Sequence, residues 1–131
     1  AAAGVATLAL VDDLGLIGNA GTVGAYLKDG LTAALGKHGN VGEVRGEGLL
    51  CAVELVEDRA TRTSFDPARR LHAKIKAAAM EAGLMIYPGC GTADGRAGDH
   101  VLIAPPFIIE DAQIDELVSK LSGAIDTALA A

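Results

Sequence analysis

The chain has 131 residues, enough for one compact domain with a modest core. Half of them are hydrophobic and 21% are charged, which excludes a disordered chain and leaves a soluble globular one; with 3% aromatics and no Trp, the core falls to Ala, Leu, Ile and Val. A net charge of -6 and a pI near 4.9 argue against general nucleic-acid binding and against an anionic membrane surface.

The chain opens on Ala1 rather than Met, inside an Ala-rich helical pattern over 1–16, and reads there as a truncated start or a fragment. Leu8, Val11 and Leu14 are spaced for one buried face. Gly15 and Gly18 then loosen the chain, and Asn19 can cap a second helix over 20–37, with Val23, Leu27, Leu31 and Ala34 as its apolar stripe. Residues 41–45 and 49–56 read as short strands around a Gly46-Glu47-Gly48 turn. The second is nearly all apolar until Glu54, which suits a strand covered on both faces or lying at a domain interface. The charged and hydroxylic stretch 57–66 is a solvated loop. Asp66 and Pro67 start a third helix that Gly83 ends, with Leu71, Ile75, Ala78 and Ala79 on one face. A strand over 84–87 follows, then a glycine-rich loop over 88–98 and a strand over 100–104 stopped by Pro105-Pro106. The last helix starts at Glu110 or Asp111 and aligns Ile114, Leu117, Leu121 and Ile125. The order ααββαββα predicts an α+β domain, a small and mostly antiparallel sheet with helices on one face, occupying the whole of 1–131.

Cys51 and Cys90 match no metal-ligand spacing and no disulfide framework, so free thiols in a reducing cytosol are expected. No run of about 18 apolar residues marks a membrane span, and no signal peptide is evident. No metal site is expected.

Four segments in order carry a family resemblance: Val41-Gly-Glu-Val-Arg-Gly-Glu-Gly-Leu-Leu50, Gly83-Leu-Met-Ile-Tyr-Pro88, Gly98-Asp-His-Val-Leu-Ile-Ala-Pro-Pro-Phe107 and Ile109-Glu-Asp-Ala-Gln-Ile-Asp-Glu-Leu117. Together they resemble the C-terminal small domain of class III aminotransferases, the omega- and ornithine-type branch of the fold type I pyridoxal-phosphate enzymes. The resemblance implies a large cofactor-binding domain of the same enzyme as partner. It also implies a homodimer with active sites at the subunit interface, and transfer of an amino group from an amine or amino acid to a keto acid such as pyruvate. That chemistry needs a Schiff-base lysine and an acidic partner for the pyridine nitrogen. None of Lys28, Lys37, Lys74, Lys76 and Lys120 matches the family's lysine motif, and no glycine-rich phosphate cradle opens a helix. The chain by itself is therefore expected to bind no pyridoxal phosphate and to be inactive. An aminomutase or decarboxylase on the same fold is a near alternative. A stand-alone, non-catalytic small-molecule-binding or oligomerisation module is an alternative of another class.

The resemblance also orders the candidate site residues. Some amino-acid-using members place an arginine just before the double proline, where this chain has Leu102, a departure from the ornithine-like pattern. Omega-type members can use an arginine on a mobile loop before Gly-Asp-His, and Arg96 lies in that neighbourhood. Its substrate-binding role stands against that of a solvated loop arginine, paired with Asp94 or Asp99. Tyr87, ending the strand that feeds the loop, either lines the substrate pocket or packs at a domain interface. His100 reads as structural, having no catalytic partner, and His72 as solvated. His38 reads as complementing a helix C-terminus, and Arg45 as holding a carboxylate beside a tight hairpin.

Overall fold

Alternation with period two and period 3.6 places apolar residues of every element but the first helix and the short third strand on one common core. In the computed structural model, which describes all 131 residues, helix α1 spans Ala2–Asp13 and α2 spans Leu16–Leu35. Strands β1 (Val41–Glu47) and β2 (Leu50–Leu55) follow, then α3 (Leu71–Glu81), β3 (Tyr87–Gly89), β4 (Asp99–Ile103) and α4 (Asp111–Ala130). The predicted order of elements and the α+β class are those observed. The four strands form one antiparallel sheet in the order β1-β2-β4-β3.

Register decides what each strand offers. Val53 pairs with Val101 and Cys51 with Ile103, and all four lie in the core with Leu27 and Leu31 of α2, Leu71 and Ile75 of α3, and Ile114, Leu121 and Ile125 of α4. Each fully buried Leu or Ile among them is worth about 1.5–3 kcal/mol relative to exposure. The alternate residues turn to the other face of the sheet. There Arg45 lies across from Ala52, Ala52 from Leu102, and Leu102 from Tyr87, while Glu54 faces His100. This outer face is charged toward Glu43, Arg45 and Glu54 and apolar toward Leu50, Leu102 and Tyr87.

The structure corrects several expectations. No residue of α1 is buried: Leu8 is 68% exposed and Leu14, just past its end, 59%, because no other element covers the helix. Helices α1 and α2 meet at 65° around Gly15, whose left-handed φ of 60° an L side chain would resist. Asn19 does not cap α2. It lies one turn inside, and its Nδ2 donates to the Phe107 carbonyl at 2.7 Å. Pro67 starts a separate 3₁₀ turn, Pro67–Arg69, capped by Asp66; the left-handed Arg70 (φ 49°) then divides it from α3. Strand β3 starts at Tyr87 rather than Leu84, since the Leu84 N–H is used to close α3 on the Ala79 carbonyl at 2.8 Å. With Gly83 left-handed at φ 73°, this is the Schellman ending that satisfies the last carbonyls of a helix. In the apolar run that leads into β2, Leu49, Cys51, Ala52 and Val53 are buried and Leu50 is open. No single helix is long and apolar enough to cross a membrane.

Candidate functional site

The groove of chief interest lies at the end of β4, where Pro105 and Pro106 force the chain out of the sheet. It has a volume of about 680 Å³ and is bounded by the close of α3, the Gly83–Tyr87 segment, and the first turns of α4. Tyr87 and Leu102, cross-strand neighbours, form part of its wall, with Leu50 beside them. Tyr87 is 72% exposed, so its ring is neither packed nor buried by this chain. Leu102 therefore stands at the groove, and the absence of an arginine there leaves that wall apolar. Lys120 and Glu116 lie on the α4 side and pair with each other at 2.6 Å. Glu116 is held below the usual carboxylate range by the hydrogen bond from Lys120 and by its charge.

The loop carrying Arg96 leaves β3 after Gly89, so Arg96 and Tyr87 sit at opposite ends of an edge strand three residues long. The loop is ordered by its own hydrogen bonds. Asp94 Oδ1 accepts from the backbone N–H groups of Arg96 at 2.8 Å and Ala97 at 2.7 Å. The Thr92 hydroxyl donates to the Gly98 carbonyl at 2.9 Å, and Ala93 N–H to the Ala97 carbonyl at 3.0 Å. Left-handed Gly91, Gly95 and Gly98 make the tight path possible. The N–H groups of Ala97 and Arg96 hold the Asp94 carboxyl below its ordinary range. Arg96 is exposed, and its guanidinium has no partner within the chain. The expected pairing of Arg96 with Asp94 or Asp99 is not what forms, because both carboxylates are engaged by other donors.

Asp99 has a role that no local sequence pattern marks. It is 3% exposed and accepts from the backbone N–H of His72 at 3.0 Å and from its ring Nδ1 at 2.8 Å. His72 is thus not simply solvated; its ring sits against a buried carboxylate at the start of α3. His38 behaves differently again. Its Nδ1 accepts from Asn40 N–H, so its Nε2 is the donor to Asp126 at 3.1 Å. The His100 ring lies on the outer face against Gly89, where a Cβ would come within 2.8 Å of it. Arg45 bridges Glu43 and Glu54 across the β1–β2 hairpin, the carboxylate-holding role its sequence context indicates. Cys51 is buried and Cys90 exposed, with no bridge between them, and burial pushes the Cys51 thiol up.

The residues present do not suit a pyridoxal phosphate site by themselves. Lys28 Nζ donates to the Gly46 carbonyl at 2.9 Å, Lys120 is paired with Glu116, and none of the five lysines is buried. Of the helix starts near the groove or the Arg96 loop, that of α3 is taken by the Asp99 carboxylate and that of α4 carries Glu110 and Asp111, which oppose a phosphate.

Comparison with known proteins bears on the whole chain. The family model "Aminotransferase class-III" matches residues 1–125. An uncharacterized aminotransferase of Schizosaccharomyces pombe is 44% identical over 116 residues, 88% of this chain and 25% of that protein. A transaminase structure from ancestral reconstruction superposes with a TM-score of 0.88 at 35% identity, covering 98% of this chain and 27% of the other. A thermostable (S)-enantioselective omega-transaminase from Thermomicrobium roseum does so with a TM-score of 0.82 at 33% identity, covering 93% and 25%. The chain thus spans about a quarter of the length of the relatives it matches.

Proposed function

The chain belongs to the class III aminotransferase family, and from that premise we propose that it is the C-terminal small domain of an omega-type, pyridoxal-phosphate-dependent transaminase. In this reading, residues 1–131 form one domain that closes the substrate pocket over a large domain of the same enzyme. The large domain supplies the Schiff-base lysine and the cofactor site, and the whole enzyme works as a homodimer. It moves an amino group from an amine or amino acid to a keto acid.

The observation that carries the proposal is Arg96, an unpaired guanidinium held out on a hydrogen-bonded loop at one end of β3, with Tyr87 and an apolar groove at the other. A planar fork of this kind can engage both oxygens of a keto-acid carboxylate. Tyr87 and Leu102 supply the wall for the apolar remainder of a substrate, and the leucine supports the omega-type over the ornithine-like assignment. The likeness to the Thermomicrobium omega-transaminase supports the same branch. A stand-alone binding or oligomerisation module is disfavoured by α1 and its junction with α2, whose open Leu8, Leu14 and Ile17 are what a covered surface would carry.

Intact-mass measurement of the native gene product, with an amine-to-pyruvate transfer assay on the same material, tests the reading. A mass several times 13.2 kDa and measurable transfer are expected. A mass near 13.2 kDa would transfer support to the module.

A further inference from the structure

The Arg96 loop ends at Gly98-Asp99-His100, and each of these residues is held by a different contact. A Cβ on Gly98 would lie 2.4 Å from the Thr92 hydroxyl and 2.7 Å from Ala93 N, so the two legs of the loop touch there. The Asp99 carboxylate, withdrawn from solvent, takes both bonds from His72. The His100 ring fills the space that Gly89 leaves open on the strand entering the loop. The Asp99 contact is the one that ties the loop to a helix. It couples the loop root to the first turn of α3, where the positive end of the helix dipole favours a carboxylate.

We propose that Asp99 and His72 are positioning residues for Arg96: together they fix the root of the 90–98 loop so that the guanidinium is offered in one place. The inference deepens, and rests on, the assignment of Arg96 to the substrate carboxylate. Asp99 receives a backbone bond that caps α3 and a ring bond that sets its carboxylate orientation. Both come from His72, the first from its backbone and the second from its ring, and the ring is part-exposed, so it can be removed without opening the core. Loop residues 91–97 keep their internal bonds in either case; what changes is the direction in which the ordered loop meets β4. A small misplacement of a group that orients substrate is costly to rate.

The test uses the full-length, cofactor-loaded enzyme and compares a keto acid, pyruvate, with an uncharged aldehyde acceptor of similar size. In His72→Ala the ratio of kcat/KM for pyruvate to that for the aldehyde is expected to fall about tenfold, carried by KM for pyruvate rather than by kcat. His72→Asn, whose amide can reach Asp99 in place of Nδ1, is expected to restore most of the ratio. A merely structural role would lower both acceptors in step, and that result, or an unchanged ratio, overturns the proposal. Arg96→Ala separates the two levels. If it lowers the ratio and His72→Ala does not, the positioning role alone falls. If Arg96→Ala leaves the ratio unchanged, the carboxylate assignment fails and the positioning role with it.

Discussion

Replacing Gly24 and Gly21 by alanine, one at a time, makes the same chemical change three residues apart on α2 and is expected to move stability in opposite directions. In an exposed helix interior the exchange gains about 0.5–1 kcal/mol, since alanine loses less backbone entropy than glycine. Gly21 meets that case, for nothing lies within 4 Å of the Cβ it would gain. Gly24 does not. Its Cβ would fall 2.3 Å from the carbonyl carbon, 2.4 Å from the oxygen and 2.5 Å from the Cα of Gly48. Those are backbone atoms in the β1–β2 turn, where Gly48 holds a left-handed φ of 54°, so no side chain can swing aside. One turn further along α2, Lys28 Nζ grips the Gly46 carbonyl at 2.9 Å, which keeps the helix from backing away. Overpacking of this kind costs about 1–3 kcal/mol, and a backbone clash belongs at the upper end, so the net loss at Gly24 is about 2 kcal/mol. Urea unfolding reads this directly. With a slope of about 1–3 kcal/mol per molar, the midpoint should fall by about 1 M for Gly24→Ala and rise by a few tenths for Gly21→Ala. A Gly24→Ala protein as stable as the parent would refute the reasoning, because it would mean that helix and hairpin do not approach as closely as described.

Leu121→Ala, at a fully buried position on α4, should cost about 2–5 kcal/mol in the same assay, whereas Leu8→Ala on the open face of α1 should change stability by less than about 0.5 kcal/mol. The Asp94 carboxyl should titrate below the ordinary aspartate range by NMR, because the Ala97 and Arg96 N–H groups favour its charged form. A folded pKa below the unfolded one means that its contribution is present above the unfolded pKa and lost as pH falls through the folded one; Asp94→Asn should therefore flatten the acid limb, and an ordinary Asp94 titration would count against the turn. The Tyr26 phenol, donating to Asp115 at 2.8 Å, should ionise above the usual tyrosine range, chiefly through that hydrogen bond and the charge behind it. Here the sign is reversed: the contribution is complete below the unfolded pKa and lost as pH rises through the folded one, and Asp115→Asn should bring the ultraviolet titration of Tyr26 back down.

The fold was legible wherever period and punctuation agreed. The stripe Ile114, Leu117, Leu121 and Ile125 and the stop at Gly83 both stand as expected, because each depends on neighbours within a turn or two. Boundaries slipped where one residue serves two elements. Leu84 looks like strand and is spent on closing α3, and Asn19 looks like a cap and is spent on Phe107. The exposure of α1 is not legible in its sequence, because periodicity reports that a helix has an apolar side, not that anything in this chain covers it. At the candidate site, Tyr87 and Arg96 could be singled out from motif position, yet the Asp99–His72 contact could not. Those residues are 27 apart in sequence, and no local pattern joins a strand's first residue to a helix's second.

Strand β3 has a consequence for how copies of this protein can meet. A sheet edge usually invites another strand, since its outer N–H and C=O groups lack partners. Here one edge is only three residues long, and its middle residue, Pro88, has no N–H to give. The opposite edge, β1, has a register shift between Val41 and Glu43 and displays Glu43, Arg45 and Glu47. Neither edge can template an extended ribbon, so the sheet is guarded against amyloid-like stacking from both sides. Any self-association is therefore directed to side-chain surfaces such as the bare flank of α1 and the start of α2, and polar substitution at Val5, Leu8 and Ile17, rather than any change to the strands, is the way to suppress it.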